Sequence, residues 1–302
     1  MTEPTPVLIS PVLISVAELG EALAGETPPV VLDVRWRLGG PPGHDEYLTG
    51  HVPGAVYVDL DTELARHGDP AEGRHPMPAP DALESSMRRW GIDETSRVVV
   101  YDGAGNLAAA RAWWLLRWAG VRDVRLLDGA LPAWVAAGGA LQVDDVVPAL
   151  GSVRVRPDSL PTLSAAQAAD WPGRGTLLDA RAPERYRGET EPVDPKAGHI
   201  PGAVNAPTTG NLAPDGRFRP PAELRERFAA LGVDATSPVA AYCGSGVTAA
   251  HELAALAVAG IDATLYPGSW SQWSNLGLPV QTGDQTGDQT GDQTGDHSPR
   301  GR

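Results

Sequence analysis

The single cysteine of the chain lies in a setting that favours nucleophilic chemistry. Cys243 follows an apolar run, residues 238–242, that predicts a buried strand, and it precedes a stretch, residues 249–259, that predicts a helix. The turn between them contains Gly244 and Gly246, so its backbone can point several N–H groups at one sulfur. The N-terminus of the helix adds positive potential. Because both effects stabilise a thiolate, we expect Cys243 to be a nucleophile rather than an inert core thiol.

An internal repeat indicates which elements position this turn. Four motifs of the first half recur in the same order in the second half, at offsets between 139 and 148 residues. Two diverged copies of one domain explain this order. The first copy carries Asp102 where the second carries Cys243, so we expect only the second copy to be catalytic. The recurring segments are 31–35 with 177–181, 50–56 with 198–204, 99–103 with 240–244, and 128–129 with 267–268.

Each copy alternates short apolar runs with helical patterns. This alternation predicts an α/β fold of two tandem domains, each a parallel sheet flanked by helices on both faces. In the first copy, the predicted strands are 30–34, 56–59, 97–101 and 124–127, and the predicted helices are 81–90 and 107–119.

We place the domain boundaries from the extent of the two copies. The N-terminal domain covers 13–141, a linker covers 142–161, and the catalytic C-terminal domain covers 162–280. The final segment, 281–302, begins with four Gln-Thr-Gly-Asp repeats. Because these repeats lack apolar residues, we expect the whole segment to be disordered.

The composition limits the classes of partner and the compartment. The 302 residues carry a formal net charge of −14, which opposes nucleic-acid binding. No run approaches the roughly 18 apolar residues that a membrane helix needs, and no basic signal region precedes the first apolar run. One cysteine excludes a disulfide framework. We therefore expect a cytoplasmic protein without a membrane or nucleic-acid partner, and a monomer, because the duplication already supplies two packed domains.

Two other interpretations of the glycine-bearing turns fail on position. Residues 103–108 match the dinucleotide pattern G-x-G-x-x-A, but they follow the third strand of their copy rather than the first. A cysteine phosphatase needs an arginine six residues after the nucleophile, to clamp the phosphoryl oxygens. That position is Ala249, and no basic residue occurs from Cys243 to Ala250.

Sulfur transfer fits the turn better. In this chemistry a thiolate attacks a donor sulfur and becomes a persulfide, and an acceptor then removes the outer sulfur. The reaction needs backbone donors for the anionic persulfide and a cation for the anionic group of the donor. It needs no metal and no organic cofactor.

The chain resembles the two-domain rhodanese-like sulfurtransferases from about residue 13 to residue 280. The motifs that carry the resemblance are Gly-His-Ile-Pro-Gly-Ala at 198–203 with its N-terminal counterpart, Gly-Ser-Trp at 268–270 followed by Trp273, and Cys-Gly-Ser-Gly-Val-Thr at 243–248. The last of these is the form associated with 3-mercaptopyruvate sulfurtransferases. Relatives that prefer thiosulfate usually carry Arg and Lys directly after the cysteine.

The resemblance implies an enzyme that moves sulfur from 3-mercaptopyruvate to an acceptor thiol, a thioredoxin-like protein or cyanide. Thiosulfate sulfurtransfer is the alternative enzyme activity. Thiosulfate is a dianion that suits a cationic loop, whereas mercaptopyruvate is a monoanion whose charge lies at the far carboxylate, so its loop can be neutral. A persulfide carrier that serves a partner protein is the alternative from another class. An arginine for a donor carboxylate argues against a pure carrier, which has less need of one.

The resemblance also implies roles for individual residues. Arg185 matches the arginine that binds the donor carboxylate, while Arg181 is expected to be structural. The family often has a second substrate arginine where this chain has Asp194, and Lys196 is expected to replace part of that charge.

Ser245 is expected to move a proton at the donor sulfur, with His51 of the first domain behind it. Asp45 and Glu46 are the nearby candidates to orient that histidine. The remaining loop residues are expected to contact the donor: Gly244, Gly246, Val247 and Thr248.

Overall fold

Two parallel sheets form the framework of the chain. The computed structural model describes residues 11–234 and 236–284. Its strands are β1 (Leu13–Ile14), β2 (Val30–Asp33), β3 (Val56–Tyr57), β4 (Arg97–Tyr101), β5 (Asp123–Leu127), β6 (Thr176–Asp179), β7 (Val204–Asn205), β8 (Val239–Tyr242) and β9 (Ala263–Leu265). The strand order is β1-β5-β4-β2-β3 in the first sheet and β7-β6-β8-β9 in the second. Every strand pair within these two sheets is parallel.

Helices connect the strands in both domains. The α-helices are α1 (Val16–Leu23), α2 (Gly43–Leu48), α3 (Leu60–Glu63), α4 (Pro80–Arg89), α5 (Ala109–Trp118), α6 (Ala130–Ala136), α7 (Ala165–Asp170), α8 (Pro183–Tyr186), α9 (Pro221–Ala230), α10 (Thr248–Val258) and α11 (Ser269–Asn275). In the described part of the chain, short 3-10 helices lie at Pro70–Glu72, Trp171–Gly173 and Thr208–Asn211.

The pairing register reproduces the repeat found in the sequence. Asp33 pairs with Tyr101 in the first sheet, and Asp179 pairs with Tyr242 in the second. The second sheet has a single parallel bridge, between Thr162 and Leu265, where the first sheet has β1. The predicted α/β fold with two tandem copies is confirmed.

Side-chain capping shortens two of the predicted elements. The predicted strand 56–59 ends after Tyr57, because the Asp59 carboxylate accepts the Thr62 N–H and begins α3. The predicted helix 107–119 begins at Ala109, because the Asp102 carboxylate accepts the N–H groups of Ala108 and Ala109.

Regular contacts extend past the predicted start of the tail. Gln281 forms an antiparallel bridge with His199, and the Gly283 N–H donates to the Arg187 carbonyl. The expectation that disorder starts at residue 281 is therefore wrong for residues 281–284, because Gln281 completes a pairing at the edge of the second domain. The rest of that segment lies outside the described residues.

Helices α5 and α10 bring the two domains together. α5 is buried around almost its whole circumference, including Trp113 and Trp114, and its residues share one core cluster with residues of α10. Such helices are buried on most sides because each packs on its own sheet and on the other domain. Each follows the strand that carries Asp102 or Cys243, so the contact places both strand-to-helix turns at the domain interface. Within the described part of the chain, no helix has the length and apolar character needed to cross a membrane.

Candidate active site

Cys243 lies at the carboxyl end of β8, directly before the turn that leads into α10. Its side chain is almost completely buried, at 1% exposure. The Gly246 N–H points at the sulfur, with 3.1 Å between the nitrogen and Sγ. The turn therefore holds the thiol against a backbone donor, as a thiolate or persulfide anion requires.

Gly246 is needed for the shape of this turn. Its φ of +81° lies in the left-handed region, and a Cβ at this position would come within 2.4 Å of the Pro267 carbonyl oxygen. Any side chain at residue 246 would push the turn away from the segment before α11, and so move the donor that faces Cys243.

The start of α11 fixes the turn from the other side. The Trp270 N–H donates to the Cys243 carbonyl at 2.9 Å, and the Ser271 N–H donates to the Gly244 carbonyl at 2.8 Å. The Ser269 hydroxyl accepts the Cys243 N–H and donates to the Tyr266 carbonyl. These bonds fix the backbone on both sides of Cys243 and so hold the turn that places the Gly246 N–H at the sulfur.

A serine, a histidine and a carboxylate form a chain beside the thiol. Ser245 Oγ lies 2.7 Å from His75 Nδ1, and His75 Nε2 lies 3.4 Å from Asp61 Oδ1. Burial lowers the pKa of His75 to about 4, and the cations Arg111 and Arg74 add to this effect. The ring is therefore neutral at physiological pH and can accept a hydroxyl proton at Nδ1 while Nε2–H faces Asp61.

The prediction that His51 stands behind Ser245 is wrong, because the structure has His75 there. The His51 ring stacks on Tyr47 with 3.8 Å between ring centroids, and its Nδ1 donates to the Tyr47 carbonyl. His199 makes the same pair of contacts with Tyr186 in the second domain. This recurrence shows that the histidine of each Gly-His motif packs a loop onto its own domain. Neither Asp45 nor Glu46 is the carboxylate of the chain at Ser245, which is Asp61.

Arg111 brings a buried cation from the first domain to the same turn. The residue lies on α5, is fully buried, and donates to the carbonyls of Gly246, His75 and Leu64 at 3.1–3.3 Å. Burial lowers the pKa of Arg111 to about 10, while the charge of Cys243 acts in the opposite direction. The guanidinium is thus charged at pH 7, and these three hydrogen-bond partners are neutral carbonyls.

Arg185 lies over the Cys243 turn, as its predicted role requires. Its Nη1 is 3.4 Å from where a Cβ on Gly244 would stand. Its Nε and Nη2 are held by Glu191, the shorter contact being 2.7 Å. Arg181 is almost fully buried, pairs with Asp179 through two nitrogens, and lies over the Trp270 ring, which is the structural role expected of it.

The position where the family often has a second substrate arginine is Asp194 here, and Arg74 of the first domain supplies a positive charge beside it. The Asp194 carboxylate accepts from Arg74 Nη1 at 2.7 Å, and Arg185 Nη2 lies 3.4 Å from it. Lys196 is exposed, and its Nζ lies near Gly277, beyond the end of α11. The expectation that Lys196 supplies the missing charge is therefore wrong, since Arg74 of the first domain is the cation nearest to this part of the site.

The expected donor contacts of Gly244, Gly246, Val247 and Thr248 stay a prediction. Val247 is buried, and Thr248 is the first residue of α10. Among the described residues, no group of three or more His, Cys, Asp or Glu side chains is arranged to hold a metal ion.

The sequence motifs did not reveal Arg74, His75 or Arg111. Arg74 and His75 lie in an irregular segment after the 3-10 helix Pro70–Glu72, outside every repeated motif. The only local signal was two adjacent basic residues in an acidic chain. Arg111 was hidden among the tryptophans of α5, where an arginine in the middle of an apolar stretch was the available signal.

The chain matches known proteins along most of its length. Residues 15–137 and 163–276 match the family described as Rhodanese-like domain. A Mycobacterium tuberculosis protein assigned as the thiosulfate sulfurtransferase SseB is 51% identical over 269 residues, which cover 87% of this chain and 94% of that protein. A Pseudomonas aeruginosa protein assigned as a 3-mercaptopyruvate sulfurtransferase is 47% identical over 268 residues, which cover 84% of this chain and 93% of its own length.

A solved structure agrees with these matches. SseA from Escherichia coli, described as a 3-mercaptopyruvate sulfotransferase with the rhodanese fold, superposes with a TM-score of 0.74 at 31% identity. The match covers 86% of this chain and 99% of that one. The resemblance drawn from the sequence motifs is confirmed.

Proposed function

Since the chain belongs to the two-domain rhodanese-like sulfurtransferases, we propose that it takes the sulfur of 3-mercaptopyruvate onto Cys243 and passes it to a thiol or cyanide. Sulfur transfer itself is common to the named relatives. Their names divide between two donors, so the choice of donor rests on the residues around Cys243.

The first half-reaction exchanges a carbon–sulfur bond for a sulfur–sulfur bond. The Cys243 thiolate attacks the donor sulfur, the bond from that sulfur to C3 breaks, and its electron pair stays on the carbon as the pyruvate enolate. The proton of the donor thiol ends on C3, which gives pyruvate. The enzyme is left with an anionic Cys243 persulfide, and an acceptor thiolate or cyanide then attacks the outer sulfur and regenerates the thiolate.

The choice of donor rests on the contacts that join Ser245, His75 and Asp61. Expulsion of an enolate requires a proton to move from sulfur to carbon, whereas thiosulfate releases sulfite, which leaves as an anion without carbon protonation. The contact of 2.7 Å between Ser245 Oγ and neutral His75 provides a path for such a proton. A site for thiosulfate has no comparable need of this pair.

Arg111 stabilises the anionic forms of Cys243 in this scheme. A buried cation whose hydrogen-bond partners are neutral carbonyls gains most when an anion occupies the adjoining site. The thiolate and the persulfide both supply that anion. Arg185 then binds the carboxylate at the far end of the donor, where its fork geometry matches the two oxygens.

The decisive experiment follows persulfide formation and donor efficiency together. On incubation with 3-mercaptopyruvate, we expect pyruvate release and a mass increase of one sulfur atom on the peptide that contains Cys243. We expect a higher kcat/KM with 3-mercaptopyruvate than with thiosulfate, both measured with cyanide as the acceptor. The Cys243→Ser variant should show neither the mass increase nor pyruvate release.

Two results would contradict this proposal and indicate another function. A higher kcat/KM with thiosulfate would make the chain a thiosulfate sulfurtransferase. Absence of turnover with either donor, together with persulfide received from a cysteine desulfurase, would make it a carrier module.

Three further properties belong to the proposed function: the acceptor, the oligomeric state and the compartment. We propose a small thiol or a thioredoxin-like protein as the acceptor other than cyanide, because the Cys243 side chain is buried at the interface between the two domains. We also propose a monomer in the cytoplasm, where Cys243 stays reduced. Analytical ultracentrifugation tests whether the protein is a monomer. Persulfide turnover with reduced thioredoxin as sole acceptor tests the proposed protein acceptor.

A further inference from the structure

Two guanidinium groups from different domains meet above Gly244, the residue that follows the nucleophile. Arg74 Nη2 lies 3.3 Å, and Arg185 Nη1 lies 3.4 Å, from where a Cβ on Gly244 would stand. Arg74 belongs to the irregular segment of the first domain, and Arg185 belongs to α8 of the second. Their convergence means that the mouth of the site is complete only when the two domains are packed together.

One buried carboxylate joins the two arginines. Asp194 Oδ1 accepts from Arg74 Nη1 at 2.7 Å, and Asp194 Oδ2 lies 3.4 Å from Arg185 Nη2. The Asp194 side chain is 2% exposed, and its own N–H donates to Glu191. Asp194 therefore holds both guanidinium groups in place beside the Cys243 turn.

The nitrogens that face Gly244 are different from the nitrogens that bind these carboxylates. Arg74 uses Nη1 for Asp194 and directs Nη2 to Gly244. Arg185 uses Nε and Nη2 for Glu191, and directs Nη1 to Gly244. One N–H-bearing atom of each arginine is thus available to a ligand at the same point.

We propose that Arg74 and Arg185 together bind the carboxylate of a 2-oxo-3-thio acid, with Asp194 as the positioning residue for both. This inference rests on the proposed function and names the group that supplies the second cation. The position where the family often has an arginine holds a carboxylate here, and the arginine comes from the first domain instead.

The charge balance at this point favours a monoanionic donor. Arg74 and Arg185 are offset by Asp194 and Glu191, so the pair binds through directed hydrogen bonds more than through net positive charge. A dianion such as thiosulfate gains most from an excess of positive charge, which this arrangement withholds. Asp194 is thus a determinant of donor specificity, and Arg74 is a binding residue.

The test compares donors with and without the carboxylate. The donors are 3-mercaptopyruvate and mercaptoacetone, which keeps the thiol and the carbonyl but lacks the carboxylate. For Arg74→Ala we expect kcat/KM with 3-mercaptopyruvate to fall roughly 10- to 100-fold, mainly through KM, because one charge-assisted contact is lost. We expect kcat/KM with mercaptoacetone to stay within about twofold of the wild-type value, since that donor makes no carboxylate contact.

Further variants separate binding from positioning and folding. Arg74→Lys should give an intermediate loss, since it keeps the charge without the fork. Arg66→Ala is the matched control, because Arg66 is an exposed arginine that also lies between α3 and α4 and that pairs with Glu72. It should match the wild type with both donors. Equal losses with both donors in Arg74→Ala would overturn the proposal, because Arg74 would then act only through the neighbouring His75.

Asp194→Asn tests the charge balance separately. Loss of this carboxylate leaves a net positive charge, so the ratio of kcat/KM for thiosulfate to that for 3-mercaptopyruvate should rise at least about fivefold. An unchanged ratio would overturn the specificity role of Asp194. Failure of Cys243 to gain sulfur from any donor would instead overturn the proposed function, whatever the Arg74 variants show.

Discussion

The same strand-to-helix turn holds a carboxylate in the first domain and a thiol in the second. Asp102 Oδ1 accepts from the N–H groups of Ala104 and Asn106, and Oδ2 accepts from those of Ala108 and Ala109, all at 2.7–3.1 Å. Burial raises the pKa of Asp102, and the four N–H donors act against that rise. The backbone of this turn is thus an anion site by construction, and the first domain fills it with its own side chain.

The side chains around each turn account for the difference in chemistry. Ala104 occupies the position of Ser245, so the first turn lacks the hydroxyl of the proton chain. A cavity of about 490 Å³ opens beside Asp102, with Trp36 and Arg37 in its wall, but no thiol faces it. The first domain has instead become a source of side chains for the second site. The two copies therefore have different roles: the second carries the nucleophile, and the first supplies His75 and Arg111 to its surroundings.

Replacing the thiol with a carboxylate should convert the second turn into a copy of the first. We expect Cys243→Asp to reduce turnover with every donor by at least about a thousandfold, because the nucleophile is absent. The melting temperature should fall little, because the equivalent turn of the first domain already holds a carboxylate. Steady-state assays and calorimetry check the two halves of this prediction.

Cys243→Ser is the control for that variant, since it also lacks a nucleophile but leaves the turn without an anion. We expect Cys243→Asp to be at least as stable as Cys243→Ser. Unfolding of the aspartate variant would contradict the view that the two turns are equivalent anion sites. Residual sulfur transfer in either variant would contradict the role of Cys243.

Two buried histidines of the first domain should behave differently. We expect His75→Gln to lower kcat with 3-mercaptopyruvate roughly 100-fold, because proton transfer contributes about this much. The loss with thiosulfate should be smaller, since its leaving group needs no proton on carbon. Rates with both donors, measured from pH 5 to pH 9, check the prediction. With a pKa of about 4, His75 should stay neutral throughout this range and add no inflection of its own.

His51→Gln is the matched control, because His51 is also buried but packs on Tyr47. It should lower the melting temperature and leave kcat with either donor within about twofold of the wild-type value. A large loss of kcat in His51→Gln, with little change in His75→Gln, would reverse the assignment.

The difference between His51 and His75 also shows which parts of the site could be predicted from the sequence. His51 belongs to a repeated motif, so a sequence comparison notices it, and the structure shows that the repetition reflects packing. His75 has no counterpart motif and reaches Ser245 across the domain interface, 170 positions along the chain. The fold and Cys243 were predictable because periodicity and the repeat are local signals. Arg74, His75 and Arg111 depend on how two domains pack, and no local pattern encodes that contact.

Removing the carboxylate from the first turn should affect stability more than chemistry. In Asp102→Ala, four N–H groups, three of them buried, lose their acceptor, so the free energy of unfolding should fall by roughly 3–5 kcal/mol. Urea denaturation measures this change. Among folded molecules, kcat/KM should stay within about threefold, because Asp102 has no contact with donor atoms.

Asp93→Ala is the control, since its exposed carboxylate accepts from Ser152 at the surface, and we expect a loss of about 1 kcal/mol. Equal losses in the two variants would mean that the first turn is not held together by its anion. An activity loss that exceeds the stability loss would give the first turn a role in the reaction.

The smallest effect concerns a second pair of equivalent positions, Arg111 and Glu252, each nine residues after Asp102 or Cys243. Arg111 binds carbonyls near Cys243, while Glu252 is fully buried and accepts from the Asn211 amide at 2.7 Å. Burial raises the pKa of Glu252 from 4.5 to about 7. The folded state therefore retains a proton that the unfolded state has released between these pH values. This contribution to stability is fully present below pH 4.5 and is lost as the pH rises through 7.

Glu252→Gln should remove this loss, because its side chain is neutral at every pH and can still accept from Asn211. We expect the variant to gain up to about 3 kcal/mol relative to the wild type between pH 5 and pH 9, measured by urea denaturation. The difference between the two proteins cancels the contributions of His75 and His251, whose burial lowers their pKa values to about 4 and about 3. A difference that does not change with pH would show that Glu252 is ionised in the folded protein. The two equivalent helix positions would then both carry charge, and only the side chains at the turns would separate the catalytic copy from the supporting one.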